Sequence, residues 1–204
     1  MCQLMPKQKR LISIAWKEVE GFIHDWQTNP YLWEKERDIQ VELTSRIKAA
    51  YKKKKMDTVW GKYTRWVDPA FWEKGQFYNR VCCEPLVYYE YKKGKRDVCR
   101  PDIVVWDDIK NPKNPDQDDR SKINSGILWA CEIKFFRSWG KEVDDKKDWD
   151  LGKLRHLLKQ SDGVKYACWL DIKRKRPVPG RRGLTLYKQG RLRKYCVTLP
   201  SLAK

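Results

Sequence analysis

Histidine is nearly absent from this chain: the 204 residues contain two, His24 and His156. Two imidazoles so far apart in sequence do not make a zinc site or a histidine-nuclease site, and His156, set between the leucines of its helix, reads as a surface residue. No run approaches the ~18 apolar residues of a membrane span. The first ten residues lack the apolar stretch of a signal peptide, so no membrane partner and a cytosolic protein are the expectation. The seven cysteines, at positions 2, 82, 83, 99, 131, 168 and 196, include no Cys-x-x-Cys pair. That spacing argues against a zinc ribbon, and the odd number argues against a full disulfide framework. Cys131, Cys168 and Cys196 lie inside apolar runs, where a free cysteine is usually a small core residue.

Charge of one sign is abundant. Forty-five lysines and arginines against 27 acids give a formal net charge of +18. Such a surplus favours a polyanionic partner, nucleic acid first. Hydrophobic residues are 41% of the chain, enough for a real core beside 35% charged residues. Eleven tryptophans and ten tyrosines accompany the charge, most of them for packing and some suited to stacking on bases. One domain over 1–204 is the default for this length.

Two short strings carry the chemistry. Arg-Pro-Asp-Ile-Val-Val-Trp at 100–106 puts Asp102 at the mouth of an apolar β-run, and Cys-Glu-Ile-Lys-Phe-Phe at 131–136 puts Glu132 and Lys134 inside another. Strand side chains alternate, so Glu132 and Lys134 share one face and Ile133 takes the other. Charges in so apolar a strand are costly unless paired, hydrated or bound to metal. Two carboxylates and a lysine suit metal-assisted phosphodiester hydrolysis: the acids hold a hard divalent cation, and the amine orients water and offsets developing negative charge.

Pro101-Asp102 followed 30 residues later by Glu132-Ile133-Lys134 resembles the PD-(D/E)XK nuclease superfamily. The resemblance implies an α/β restriction-endonuclease-like core, a central mixed sheet flanked by helices in the order αβββαβ, over about 31–172. It implies Mg²⁺ or Mn²⁺ as cofactor, held by Asp102, Glu132, the main-chain carbonyl of Ile133 and a carboxylate from the first core helix, with Lys134 beside the attacking water. It implies DNA, double-stranded or branched, as substrate, and it admits a homodimer, since such enzymes often pair to cut two strands. The clustered C-terminal cysteines with which some members hold an iron–sulfur cluster are absent here. A nucleic-acid-binding protein that keeps the fold without turnover, and an RNA-directed nuclease, are the alternative readings.

Local patterns place these motifs on elements. Residues 11–27 predict a short amphipathic helix that Asn29-Pro30 breaks. Residues 31–52 predict the clearest helix, with Ile39, Leu43, Ile47 and Ala50 on one stripe. Glu36 falls near the middle of that stripe and Glu42 lies well off it, so Glu36 is the better match to the helix carboxylate. A lysine run at 52–55 and the aromatics from Trp60 to Tyr78 fit either a nucleic-acid surface or a packed insertion. Residues 81–91 and 98–106 predict a hairpin about Lys93-Gly94-Lys95, with Glu84 an additional weak ligand candidate. The polar stretch 107–125, with Asp107, Asp108, Asp116, Asp118 and Asp119, predicts a solvated loop and does not match a calcium-binding loop. A strand over 127–136, a helix over 150–161 with Leu151, Leu154, Leu157 and Leu158 on one face, and a strand over 164–172 follow. The helix between strands implies a crossover and a parallel pair.

The C-terminal stretch from 165 is the most basic part of the chain. Residues 173–183 predict a loop, and Thr185–Tyr187 with Tyr195–Leu199 an extra basic hairpin about Gly190, beyond the core. Lys173, Arg174, Lys175, Arg176, Arg181 and Arg182 are the candidate phosphate contacts. The segments 1–30, 52–80 and 173–204 lie outside the resembling stretch and are expected to tune substrate choice.

Overall fold

Apolar residues at steps of three and four, Leu11, Ala15, Val19, Phe22 and Trp26, make helix α1 (Pro6–Thr28), and all five are completely buried. The helix begins earlier than its apolar periodicity, because Pro6 suits a first helical position and the Gln8 Oε1 accepts the Met5 N–H at 2.9 Å. Helix α2 (Glu36–Lys53) likewise starts at its cap: Asp38 Oδ2 accepts the N–H groups of Glu34 and Lys35, so residues 31–35 of the predicted 31–52 helix lie outside it. Ile39, Leu43 and Ile47 form the expected stripe; Tyr51 ends it in place of the half-buried Ala50, and its hydroxyl donates to the Leu11 carbonyl at 2.9 Å. The computed structural model describes residues 4–61, 76–85, 87–92, 95–108, 126–136, 144–159, 164–175 and 183–200.

Strands β1 (Thr58–Gly61) and β2 (Gln76–Asn79) pair as a small antiparallel ribbon. The main sheet uses β3 (Val81–Cys83), β6 (Ile103–Trp106), β7 (Ile127–Phe136), β8 (Tyr166–Lys173), β9 (Leu184–Gln189) and β10 (Leu192–Thr198), in the order β3-β6-β7-β8-β10-β9. It is antiparallel from β3 to β7, parallel from β7 through β8 to β10, and antiparallel again at β9. Helix α3 (Asp144–Lys159) is the crossover between β7 and β8. Its Leu151, Leu154, Leu157 and Leu158 pack on Val104, Ala130, Ala167 and Trp169. Helices α1 and α2 cover the other face, on Ile103, Cys131, Ile133, Leu170, Tyr195 and Val197. The chain is thus an α/β protein with a six-stranded mixed sheet between helical layers.

The structure departs from the expectations in three places. The hairpin expected over 81–91 and 98–106 is split. Its inner halves, β3 and β6, join the main sheet; its outer halves, β4 (Val87–Lys92) and β5 (Lys95–Cys99), form a separate ribbon. Cys83 pairs with Ile103 and Val87 with Cys99, so the register runs unbroken past the gap. Pro85 and Pro101 sit in that gap without N–H donors, and Glu84 has a left-handed φ of 48°. Second, the C-terminal hairpin turns at Gly190 as expected, with φ of 57°, but it is no appendage: β10 lies parallel to β8 and buries Tyr195 and Val197. Third, α1, though outside the resembling stretch, forms part of the hydrophobic core. Cys131 and Cys168 are buried as free thiols; Cys196 is half-buried. Among the described residues no helix is long and apolar enough to cross a membrane.

Arg80, which the sequence does not mark, is 1% exposed. Its guanidinium donates to the carbonyls of Met56, Thr58 and Trp106 and to Asp108 Oδ1, at 2.6–2.9 Å. It joins the end of α2, the small ribbon and β6. Arg80→Met removes the donors and leaves those acceptors enclosed, so urea denaturation should show a loss of about 3–5 kcal/mol. A loss below about 1 kcal/mol would mean that water replaces the guanidinium freely.

Candidate active site

Register assembles the acids. Ile103 pairs with Cys131, so one step further Asp102 stands across from Glu132. Cys83 pairs with Ile103, so one step further Glu84 stands across from Asp102 on its other side, and the Glu84 N–H donates to the Asp102 carbonyl at 3.2 Å. Three acids thus form a row beside the end of β3, the start of β6 and the middle of β7. Asp102 Oδ2 accepts the N–H of Ile133 at 2.6 Å, which fixes its carboxyl against β7. The left-handed backbone at Glu84 breaks strand alternation and turns its carboxylate to α2, where Arg37 Nη1 and Gln40 Nε2 donate to it.

Glu132 and Lys134 share the α3 side of β7, as alternation requires, and Ile133 is buried under α1 and α2. Lys134 Nζ lies 3.1 Å from Glu132 Oε1 and 3.0 Å from Asp150 Oδ2. Asp150 also meets Lys153 at 3.2 Å. Glu36, at the start of α2, reaches the far end of β7, where its Oε2 accepts the Phe135 N–H at 3.2 Å. Glu42 instead pairs with Arg46, which also binds Asp25, so of the two helix acids only Glu36 comes to β7.

Two members of this cluster escaped the sequence analysis. Asp150 lies one helical turn before Leu154, on the buried stripe of α3; an acid on an apolar stripe is the same signal that picked out Glu36. Gln40 is 2% exposed and bridges the row, donating to the Asp102 carbonyl at 2.9 Å and to Glu84 at 3.2 Å. Nothing in its sequence neighbourhood marks it.

The candidate phosphate contacts fare differently. Arg174 serves the fold: it donates to the carbonyls of Pro30 and Trp33 and stacks on Tyr31 and Phe135, each 5.2 Å from its guanidinium carbon. Those contacts hold the Arg174 guanidinium within the fold. Lys173 Nζ lies over the Phe136 ring at 5.3 Å, and Lys175 is exposed. Arg176, Arg181 and Arg182 lie outside the described residues, as do Asp116, Asp118, Asp119 and most of 60–78. Asp107 and Asp108 are not solvated turn acids: Gln8 donates to Asp107, and Lys7 and Arg80 bind Asp108.

Burial and like charge raise the proton affinity of the central acids. Desolvation, then the neighbouring Glu36 and Glu84 against the Ile133 N–H and Lys134, pushes Asp102 up to about 7. Desolvation, then Asp102, pushes Glu132 up to about 8 despite Lys134. Burial works to lower the pKa of Lys134, but Glu132, Glu36 and Asp150 outweigh it and hold the amine above its ordinary value. Every candidate ligand is an oxygen donor, which fits a hard ion such as Mg²⁺ or Mn²⁺. Crowded, proton-hungry carboxylates are what such an ion would relieve. Among the described residues no three carboxylate, thiol or imidazole groups stand close enough to enclose an ion as they are. No family model, curated protein or solved structure matches the chain.

Between about pH 4 and pH 8 the folded chain keeps protons on Asp102 and Glu132 that the unfolded chain releases. Stability in EDTA should therefore fall as pH rises through that window and level off above it. Urea midpoints measured from about pH 5 to about pH 9 test this, and Glu132→Gln should flatten the slope. An identical slope in wild type and variant would show that Glu132 ionises freely in the fold.

Proposed function

We propose that the chain is a metal-dependent endonuclease that hydrolyses DNA phosphodiester bonds on a restriction-endonuclease-like core. The observation that carries this reading is the facing pair Asp102 and Glu132 on adjacent strands, with Lys134 hydrogen-bonded to Glu132 on the same side of β7. The order α2, β3, β6, β7, α3, β8 supports it, since it follows the helix, three strands, helix and strand that the resemblance implies. The net charge of +18 supports a polyanionic substrate.

In this reading Asp102, Glu132, Glu36 and the Ile133 carbonyl would hold Mg²⁺ or Mn²⁺. A bound divalent ion supplies Lewis acidity toward the scissile phosphate and lowers the pKa of an attacking water. Lys134 orients that water and offsets charge on the phosphate oxygens as the P–O bond to the leaving group breaks. For this the amine must exchange Glu132 for water. Asp150, its second carboxylate partner, keeps it in place while it does so. RNA carries the same backbone chemistry and is the substrate alternative. A binding protein without turnover is the second reading, favoured by the doubly paired Lys134.

Incubation with supercoiled plasmid, single-stranded DNA and a branched junction decides among these. Wild type should cut with Mg²⁺ or Mn²⁺ and not in EDTA, and Asp102→Ala and Lys134→Ala should each lower the rate about a hundredfold or more. If neither ion supports cleavage, the binding reading replaces the enzyme. If both variants cut like wild type, the chemistry lies elsewhere.

A further inference from the structure

A groove of about 440 Å³ runs along α1, on the face of the sheet opposite Glu132 and Lys134. Its floor is Trp16 and its walls include Lys9, Ser13 and Lys17 from α1, with Tyr166 and Arg193 from β8 and β10. Lys9 and Lys17 are exposed and form no ion pair among the described residues. They stand eight residues apart, about 12 Å along the helix.

Arg193 is the centre of the groove. Its guanidinium lies over the Trp16 ring at 4.3 Å and is held there through Nη1, which meets Glu20 at 3.3 Å and the Tyr195 hydroxyl at 3.4 Å. Nε and Nη2 have no acceptor among the described residues. The arrangement orients a planar cation, keeps one face on an indole and leaves two donors for a ligand. Glu20, the groove's one acid, is already engaged by Arg193 and by the Tyr195 hydroxyl at 2.9 Å. Fork-shaped donors match a phosphate, and a guanidinium plane or the neighbouring Tyr166 ring can take a base.

We infer that this groove binds a single strand of nucleic acid, with Lys9, Lys17 and Arg193 on phosphates and bases stacked against the Arg193 plane and Tyr166. The inference rests on the proposed function only for the class of partner. None of Glu36, Glu84, Asp102, Glu132 and Lys134 lines the groove, so binding here is separable from hydrolysis there.

The test is fluorescence anisotropy of a labelled single-stranded oligonucleotide of about 20 nucleotides with the full chain in EDTA, titrated over salt. Lys9→Glu with Lys17→Glu should weaken binding about tenfold or more and make the slope of log affinity against log salt shallower by about 1.4. Lys48→Glu with Lys52→Glu, the same charge change on the exposed face of α2, should do much less. Arg193→Lys keeps the charge but loses the planar fork; it should weaken binding severalfold with the slope nearly unchanged. Equal loss in the two double variants, or no loss in either, overturns the inference, as does displacement of the oligonucleotide by polyglutamate at equal charge concentration, which would make the groove a general acidic-surface site. Melting curves confirm that each variant folds, and Lys9→Gln with Lys17→Gln replaces the reversal if it does not. Normal binding by the groove variants with intact cutting would sink this inference alone, and absence of cutting with wild-type groove behaviour would sink the nuclease alone.

Discussion

Two carboxyls face each other across neighbouring strands, Asp102 on the approach to β6 and Glu132 in β7, in a sheet covered by helices on both sides. Burial removes the water that would screen them, so they either hold protons or gather cations. The surroundings meet that demand. The Ile133 N–H takes one oxygen of Asp102, Lys134 reaches back to Glu132, and Asp150 on α3 holds the other side of the amine. Gln40 braces the row from α2. The same crowding that raises the proton affinity of the row would favour a divalent ion, so one electrostatic constraint links the stability of this corner to its proposed chemistry.

The scaffold that imposes this crowding reaches beyond the motif-bearing strands. Helix α1 and strand β10, from the two ends of the chain, meet over the sheet where Trp16 packs on Trp129 and Tyr195. Guanidinium groups join other pieces: Arg80 ties the small ribbon to β6, Arg174 ties the α1–α2 loop to the end of β8, and Arg46 links the two helices. Formal charge therefore overstates the cations presented to a partner. Some of the 45 basic residues hold the fold, and the ones available for phosphates must be found by their surroundings.

How much was legible followed from the range of the interaction. Strand β7 matched its expected bounds, 127–136, because a long apolar run needs no distant partner to be recognised. The leucines of α3 and the stripe of α2 were readable from helical spacing, and Glu36 stood out from Glu42 as an acid on an apolar face. The ends of α1 and α2 were not, since Gln8 and Asp38 set them through side-chain hydrogen bonds. The split hairpin was hidden because its register continues past the gap, and only the prolines and the left-handed Glu84 mark where the sheet stops.

The amino-acid sequence by itself determined the alternation that puts Glu132 and Lys134 on one side of a strand, the helical stripes, the crossover between β7 and β8, and the surplus of positive charge. These are local or additive properties, fixed by bond geometry and composition. Tertiary structure alone decided that Asp102 faces Glu132, that Asp150 and Gln40 join them, that Arg80 and Arg174 turn inward, and that β10 lies inside the sheet. Each of those is a contact between residues 16 or more positions apart, and side-chain identity does not reveal a partner until strand order and register bring it within hydrogen-bonding distance.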